Sequence, residues 1–496
     1  MIKGVDRKGE ILTTIERWRT DSWRRQELRM PTLTTAARNT LDLPELRHRL
    51  SRFVTIKDAL SCALVCKAWT DSFTSAIWFS IDFDVHPRFV DLSPDTIAKH
   101  GHLIRVVKNA KEAPQVAILA NSRVNNLRHL HIDPAGSAIH YVRAYEIVFR
   151  NNMCCKSLYM SATTVPTAKL DSFGHYIPAH ALSHSPGLTL QSPSILKVLR
   201  LRQLCLTHDS LVVILQGCPK LIELDLIHTN VVGDQTQSFQ HVSIKDLRSS
   251  LQSIFQAIAN GPPLLSYFPR LTAISIYSFD PSVAVPTTQI KEDLLRYCPD
   301  VTRYNVEDAA GAIISEFLLY VAHNITEFTY KYEHTSIEMV TGMLAHQNSL
   351  KSISQFHEQD LDFETETVAS VSDPFRQSGI FLQLILRCCS QLRTLDLHSH
   401  EMDMDVVEMG EWTCQDLTTL RIRVKGLDTV DKILKAIALW RAGCWRRWQQ
   451  KAGTPVQDEV NLEEINMSIE AKVARHLLKF DKLWWVWLGY QTWTPI

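Results

Sequence analysis

The chain has 496 residues with 53 basic and 53 acidic side chains, so its formal net charge is zero. This balance gives no global attraction for nucleic acid or for an anionic membrane, and neither is expected as a partner. A hydrophobic content of 45% with 21% charged residues predicts a folded protein. No apolar run reaches the roughly eighteen residues of a membrane span. The length suffices for one large repetitive domain or for a few ordinary ones.

Residues 1–40 are predicted to form a flexible N-terminal arm. Several arginines and two tryptophans lie in this segment, but five acidic residues also precede Met30. Because targeting peptides are poor in acidic residues, the arm is not predicted to direct export. The eleven cysteines include no CxxC pair, so we expect reduced thiols, no zinc site and a cytoplasmic and/or nuclear location.

Residues 41–84 are predicted to form a short helical module. Apolar residues from Leu46 to Phe53 recur at three- and four-residue intervals, which is the spacing of one helix face. A second run from Leu60 to Trp69 has the same period. Pro44 suits the first turn of a helix, where its missing N–H costs little. A unit this short buries too little surface to be stable alone, so it should pack against the rest of the chain or against another protein.

This module resembles an F-box, the helical unit that docks substrate receptors onto the adaptor of a cullin-type ubiquitin ligase. The resemblance is carried by Leu43-Pro44, by Leu64–Trp69 (LVCKAW) and by Trp78, and it covers less than a tenth of the chain. The link from Pro44 to Leu46 is one residue shorter than the family usually has. The resemblance implies adaptor contacts from Leu43, Pro44, Leu46, Leu50, Val65, Cys66 and Trp69.

A six-residue frame, apolar-x-x-apolar-x-apolar, recurs through the body of the chain. Clear copies begin at Leu127, Leu196, Leu221, Leu271, Val301, Ile325, Leu392, Leu417, Leu462 and Leu483. Weaker copies begin at Leu103, Cys155 and Leu350. Six intervals between copies are 24 to 28 residues long, within the period of leucine-rich repeats. Four longer intervals, of 41 to 50 residues, are expected to hold inserted loops or a decayed copy.

The segments between the frames show helical patterns. Amphipathic stripes predict helices over 209–216, 290–297, 313–323, 337–346, 380–387 and 430–442. A short strand and a returning helix, repeated every two dozen residues, build a solenoid with parallel strands on its concave face and helices outside. We therefore predict an α/β fold in which residues 85–496 form a leucine-rich-repeat solenoid, with inserted loops near 161–194 and 355–379.

A cysteine stands three residues before four of the frames. Cys218 and Cys298 are each followed by Pro, and Cys389 and Cys414 occupy the same position. Proline ends the preceding helix, and a small side chain fits the tight turn into the strand. The pattern Cys-Pro-x-Leu resembles the repeats of many F-box receptors. The four thiols share no histidine partner, so a structural role is predicted rather than a catalytic one.

An F-box-like module followed by leucine-rich repeats resembles F-box receptors, especially the large and divergent sets seen in fungi. The resemblance implies a non-catalytic substrate-recognition subunit of an SCF-type E3 ubiquitin ligase, which binds the adaptor through the F-box and a protein substrate through the repeats. Strand alternation places the x positions of the frames on the concave surface. The predicted substrate contacts are Lys197, Arg200, Glu223, Asp225, Arg393, Asp396, Arg421 and Arg423.

Two other functions stay open at this point. A leucine-rich-repeat scaffold without ligase coupling would bind a protein partner only. A nucleic-acid-binding protein would use the tryptophans and cations interleaved over 440–451, which also fit an apolar helix face with solvated arginines. His175, His180 and His184 are expected in a solvated loop rather than a metal site. No Gly-rich phosphate loop or Ser/His/Asp arrangement is visible, and we predict no cofactor, metal or catalytic residue.

Overall fold

The computed structural model describes residues 43–51, 53–119, 123–132, 152, 154–161, 175–177, 194–232, 239–255, 263–277, 287–307, 311–331, 337–356, 379–404, 412–452 and 468–488. The chain divides into two compact units, Met1–Met160 and Ser161–Ile496. The predicted N-terminal arm, two of the three loop histidines and the frame at Leu462 lie outside the described residues. Most of the two predicted inserted loops lies outside them as well.

The first unit begins with three helices over residues 43–79, which we call the helical module. These are α1 (Pro44–Leu50), α2 (Ile56–Ala63) and α3 (Lys67–Phe79). Pro44 occupies the first turn of α1, as predicted, and the Thr55 hydroxyl caps α2 by accepting the backbone N–H of Asp58 at 3.2 Å. Two further helices follow, α4 (Pro94–His100) and α5 (Ala113–Leu119).

The helical module packs against the rest of the first unit through Trp78 near the end of α3. The indole of Trp78 stacks on His100 with ring centroids 4.8 Å apart and meets the edge of Phe89 at 5.3 Å. The expectation that so short a helical unit leans on neighbouring chain is therefore met on this side of the module.

Four parallel strands complete the first unit, each paired with the next in chain order. They are β1 (Ser80–Asp82), β2 (Val106–Ala110), β3 (His129–Ile132) and β4 (Ser157–Ser161). Their central residues share one register row and are buried: Ile81, Val107, Leu130 and Leu158.

Ten strands of the second unit form a large parallel sheet, again in chain order. They are β6 (Val198–Arg202), β8 (Glu223–Asp225), β10 (Asp246–Ser249), β11 (Ala273–Ile276), β12 (Arg303–Val306), β13 (Glu327–Tyr330), β14 (Ser352–Gln355), β15 (Thr394–Met402), β16 (Thr419–Val424) and β17 (Trp485–Leu488). One register row, which we call the apolar row, runs across the nine strands from β6 to β16 at no more than 1% exposure: Leu199, Leu224, Leu247, Ile274, Tyr304, Phe328, Ile353, Leu395 and Leu420.

Helices occupy most of the segments between these strands. They are α6 (His208–Gln216), α7 (Leu251–Phe255), α8 (Thr287–Tyr297), α9 (Gly311–Glu316), α10 (Ile337–Leu344), α11 (Gly379–Cys388), α12 (Val430–Lys451) and α13 (Ile469–Leu477). A π-helical turn, Phe317–Val321, extends α9. All six helices predicted from amphipathic stripes are confirmed, and α12 runs nine residues beyond its predicted end.

The same backbone fork opens the nine strands that follow β6 in the large sheet. The carbonyl of Lys197 accepts the N–H groups of both Ile222 and Glu223, at 2.8 and 3.0 Å. Equivalent forks, in which one carbonyl accepts two successive N–H groups of the next strand entry, form at Ile222, Lys245, Thr272, Thr302, Thr326, Lys351, Arg393 and Thr418. Each strand is therefore entered in the same geometry, as a repeated strand–helix pattern requires.

A second, smaller parallel sheet contains β5 (His175–Ile177), β7 (Leu204–Thr207) and β9 (Asn230–Val232). Gln203 and His228, which precede β7 and β9, have φ values of 57° and 51°. This left-handed backbone turns the chain sharply between the large and the small sheet. β5 falls inside the segment predicted to be an inserted loop, so part of that segment is a strand.

The sequence frames located most strands but missed five. The frame of β1, Trp78-x-x-Ile81-x-Phe83, lies inside the segment predicted to be the helical module and was not recognised. β10 lies in the longest interval, where a decayed copy was one of two expectations. Its frame is Ile244, Leu247 and Ser249, and the buried serine at the third position breaks the apolar pattern. The three strands of the small sheet alternate too briefly to be recognised. The α/β class and the parallel sheet are confirmed.

Candidate protein-binding surfaces

The helical module has a small core of its own. Phe73 and Ala59 are buried between the helices, and the indole of Trp69 stacks on Phe73 with ring centroids 5.4 Å apart. Arg47 is also buried, and its Nε donates a hydrogen bond to the Ser72 hydroxyl at 3.3 Å, which ties α1 to α3. Few of the apolar side chains in the module take part in this core.

Most of the large apolar residues between Leu43 and Val65 face solvent. Their exposed fractions range from 42% for Leu50 to 87% for Phe53, and the set comprises Leu43, Leu50, Phe53, Leu60, Leu64 and Val65. Large apolar side chains exposed in such number within so short a segment indicate a candidate interaction site. We call this set the apolar surface of the module.

The seven residues for which adaptor contacts were predicted differ in their exposure to solvent. Leu43, Pro44, Leu50 and Val65 are exposed, so they are available to a partner. Leu46, Cys66 and Trp69 are half-buried, and Trp69 packs inside the module. The exposed residues Phe53, Leu60 and Leu64 were not in the predicted set, although Leu60 and Leu64 belong to the second apolar run in the sequence.

On the large sheet, one register row lies on the opposite face from the apolar row. We call it the polar row, and its members in strand order are Arg200, Asp225, Arg248, Ser275, Asn305, Thr329, Ser354, Asp396, Arg421 and Trp487. Charged residues occupy both ends of the row, whereas the four central members are small or neutral. At the centre, the Asn305 amide donates to the Ser275 hydroxyl at 2.9 Å.

An ion-pair network surrounds the first end of the polar row. The buried carboxylate of Asp225, with only 1% of its side chain exposed, lies 2.8 Å from a guanidinium nitrogen of Arg202 and 3.8 Å from one of Arg248. Arg248 also pairs with Glu307, and Arg200 pairs with Glu223 at 2.9 Å. Asp225 therefore holds two arginines in place and offers no surface to a partner, whereas Arg200 and Glu223 remain accessible.

The carboxylate of Asp246 lies beside this network and has no hydrogen bond among the interactions that the structure describes, although its backbone N–H donates to the Ile222 carbonyl. Burial raises the pKa of its carboxyl to about 6, and the nearby carboxylates of Glu223 and Asp225 add to the rise against the opposing effect of Arg303 and Arg248. The first end of the row thus contains a carboxyl that takes up a proton near neutral pH.

The second end of the polar row is built around Arg421. Its guanidinium lies 4.4 Å from the ring centroid of Trp487 and 3.4 Å from the Asp396 carboxylate, and its side chain is 11% exposed. The Asp396 carboxylate is also 3.3 Å from Nδ1 of His398. A cation held between an aromatic face and a carboxylate is well fixed, so Arg421 presents only its edge to solvent.

The structure therefore distributes the eight predicted substrate contacts unevenly. Lys197 and Arg393 are exposed at strand entries, and Arg200, Glu223, Asp396, Arg421 and Arg423 are half-buried on the polar face, whereas Asp225 is buried. They lie at the two ends of the row rather than in one cluster. Sequence reasoning missed Arg202, Arg248, Glu307, His398 and Trp487, of which Arg248 became invisible when β10 was missed.

The cysteines that precede the frames fill the turns between helix and strand. Cys218, Cys298, Cys389 and Cys414 are all fully buried, and the carbonyl of each accepts the N–H of the residue three positions later, at 2.9 to 3.3 Å. Burial raises the pKa of the Cys298, Cys389 and Cys414 thiols to about 12, which keeps them protonated at neutral pH. The predicted structural role agrees with this burial.

Within the described residues, no three His, Cys, Asp or Glu side chains are grouped to hold a metal ion. None of the helices in that part of the chain is both long and apolar enough to cross a bilayer. Neither the known protein-family models nor the curated proteins contain a match to this chain. The two surfaces are therefore interpreted from their own geometry.

Proposed function

We propose that this chain is a non-catalytic substrate-recognition subunit of an SCF-type E3 ubiquitin ligase. In this proposal residues 41–84 act as an F-box that docks on the ligase adaptor, and the strand–helix repeats act as leucine-rich repeats that hold a protein substrate. The observation that carries it is the apolar surface of the helical module, where Leu43, Leu50 and Val65 are 42% to 49% exposed.

The physical argument starts from the cost of that surface. Fully burying a large apolar side chain provides roughly 1.5–3 kcal/mol, and a side chain that is about half exposed forgoes part of this. Six such side chains therefore represent unused binding free energy, which a partner with a matching apolar groove recovers on docking. Three of the six, Leu43, Leu64 and Val65, lie in the segments that resemble the F-box pattern, which supports the adaptor as the partner.

The polar row supports the second half of the proposal. Its fixed ion pairs form a patterned surface in which Arg200 is accessible, and Lys197 and Arg393 add exposed charges at the strand entries. Fixed charges favour specific recognition because a wrongly charged partner would leave them desolvated and unpaired. The mechanism requires no catalytic group in this chain: joining the two surfaces in one molecule raises the effective concentration of a substrate lysine near the loaded ubiquitin-transfer enzyme.

The proposal is tested by co-expression with the cullin-ligase adaptor and affinity purification of the chain. We expect a stoichiometric complex with wild type and its loss in the double variant Leu50→Glu/Val65→Glu. Both side chains are exposed, so the double variant should melt like wild type. Lys57→Glu is the matched control, because it places the same carboxylate on an exposed, polar position of α2. It should retain the adaptor.

A folded wild-type chain that fails to bind the adaptor would contradict the ligase assignment. That result would favour the alternative function, a leucine-rich-repeat scaffold that binds a protein without ligase coupling. Loss of the complex in Lys57→Glu as well as in the double variant would show that general charge, rather than the apolar surface, governs docking.

A further inference from the structure

A third surface lies in the second unit, where α12 passes the start of β17. There an open cavity of about 430 Å³ is lined by Trp440, Arg441, Cys444, Trp445, Trp448, Leu483 and Trp484. This volume falls within the range of roughly 300–1,000 Å³ that is typical of ligand-binding pockets. We call it the Trp cavity, and none of its lining residues belongs to the apolar surface of the module or to the polar row.

The Trp cavity leaves three indole rings in water. Trp445 and Trp448 are each 58% exposed and Trp484 is 73% exposed, whereas Trp440 is buried at the base. The sequence left open whether these tryptophans belong to a packed helix face, and the structure gives that role to Trp440 alone. Exposed tryptophans at the mouth of a cavity are the residue type that most often anchors protein interfaces.

The charged residues around the cavity indicate which charge a bound ligand would carry. α12 contains six Lys and Arg residues against one Asp, and two of the six, Lys432 and Lys435, pair with Asp428 and Glu470 outside the helix. Arg441 lines the cavity, and no acidic residue is among the lining residues. Arg447 is already paired with Asp481 at 3.2 Å, while Arg441 has no ion pair among the interactions that the structure describes. A cationic ligand would be repelled by Arg441, whereas a carboxylate would gain a bidentate partner at the apolar wall.

The arrangement favours a peptide over a nucleic-acid strand. Trp445 and Trp448 stack on each other, with centroids 4.8 Å apart and planes 23° apart, so together they form one wall rather than two separate platforms for bases. A single-strand groove also needs a line of cations along the backbone. Arg446, which the sequence grouped with the tryptophans, does not line the cavity.

We propose that the Trp cavity is a docking site for a short acidic peptide segment of a partner protein. The segment inserts one bulky apolar side chain between Trp445, Trp448 and Trp484, and a neighbouring carboxylate pairs with Arg441. This site is independent of the proposed ligase function, because it involves neither the helical module nor the polar row. It would serve equally to recruit a substrate, a regulator or another assembly component.

The test uses the full-length chain and fluorescein-labelled peptides followed by fluorescence anisotropy. The probe has one central tryptophan between two runs of glutamate. Matched probes replace the tryptophan by alanine or the glutamates by lysine, and an oligodeoxythymidine tests nucleic acid. We expect the acidic tryptophan peptide to bind at least about tenfold tighter than either peptide control, a ratio that corresponds to 1.4 kcal/mol.

Substitutions in the chain test whether the peptide binds in the Trp cavity. Arg441→Glu should weaken the acidic tryptophan peptide by about tenfold or more, because it replaces an attraction by a repulsion. Trp484→Ala should weaken it similarly, and its exposure predicts an unchanged melting temperature. Arg446→Glu makes the same charge change on α12 outside the cavity and should alter binding by less than about twofold.

Two outcomes would overturn the proposal. Equal losses in Arg441→Glu and Arg446→Glu would show nonspecific attraction to a cationic helix. Tighter binding of the oligodeoxythymidine than of the acidic peptide would assign the helix to nucleic acid. Both results can occur whether or not the adaptor binds, so they are distinguishable from failure of the proposed ligase function.

Discussion

Apolar side chains have opposite surroundings in the helical module and in the large sheet. In the module, Leu43, Leu50, Leu60 and Leu64 are between 42% and 49% exposed. In the apolar row of the sheet, every member from Leu199 to Leu420 is at most 1% exposed. Both regions show regular apolar spacing in the sequence, one with a helical period and one with the six-residue frame.

The two regions differ in how completely they bury their own apolar side chains. The sheet satisfies its apolar residues internally, because each strand–helix segment covers the next and the backbone forks fix the register. The module has only a small core around Phe73, and the residues of its apolar surface stay exposed within the part of the chain that the structure describes. Regular spacing in sequence therefore identifies an apolar face without saying whether the rest of the fold covers it.

The largest expected effect is a loss of stability on removal of a buried ring from the large sheet. Phe328→Ala removes a ring that is 1% exposed in the centre of the apolar row and should cost about 3–5 kcal/mol in free energy of unfolding. Thr329→Ala, one residue further along β13 on the polar face, should cost less than about 1 kcal/mol. Chemical denaturation followed by circular dichroism measures both.

A loss of similar size in the two β13 variants would contradict the face assignment. It would mean that Thr329 is packed as tightly as Phe328, and that the polar row is not the open face of the sheet. The pair is well matched because both residues lie on the same strand and are paired in register with β12 on one side and β14 on the other.

Sequence reasoning captured the parts of this fold that depend on local apolar patterns. Frames such as Leu221–Leu226 and Ile325–Tyr330 became strands, and the helices between them formed where amphipathic stripes predicted. β10 was lost because Ser249 replaces the apolar residue of the frame while remaining fully buried. A buried serine satisfies the packing of the strand but carries no hydrophobic signal.

The candidate surfaces were less predictable, because exposure and pairing depend on neighbours that are distant in sequence. Asp225 occupies an x position like Asp396, but Arg202 and Arg248 from two adjacent strands enclose only the former. Trp69 and Leu64 share one apolar run, yet Trp69 packs on Phe73 and Leu64 faces solvent. No spacing rule separates such pairs without the tertiary structure.

A second prediction concerns the pH dependence of stability that a carboxyl beside the polar row causes. The Asp246 pKa rises from its ordinary 3.8 to about 6, so this carboxyl binds more protons folded than unfolded between these values. Its contribution to stability is therefore greatest in acid and falls as pH rises towards 6. Asp246→Asn should be more stable than wild type at neutral pH by at most about 3 kcal/mol.

The pH profile serves as the control for this substitution. The advantage of Asp246→Asn over wild type should shrink below pH 6 and disappear below about pH 3, where the wild-type carboxyl is protonated in both the folded and the unfolded chain. Denaturant titrations at matched ionic strength across this range measure it. A difference that stays constant with pH would show that the substitution acts through packing rather than through charge.

The smallest expected effect concerns the module side of the comparison. Leu64→Ala should change the free energy of unfolding by less than about 0.5 kcal/mol, because a side chain that is 47% exposed has little burial to lose. Phe73→Ala, in the buried core of the same module, should cost about 3–5 kcal/mol by loss of packing and by the cavity left beside Trp69. Hydrogen exchange of the amides in α2 and α3 reports on both variants locally.

A large loss of protection in Leu64→Ala would mean that the leucine stabilises the module itself. A near-neutral result would mean that the fold of the free chain gains little from the leucine, which is what the proposed docking role of the apolar surface requires.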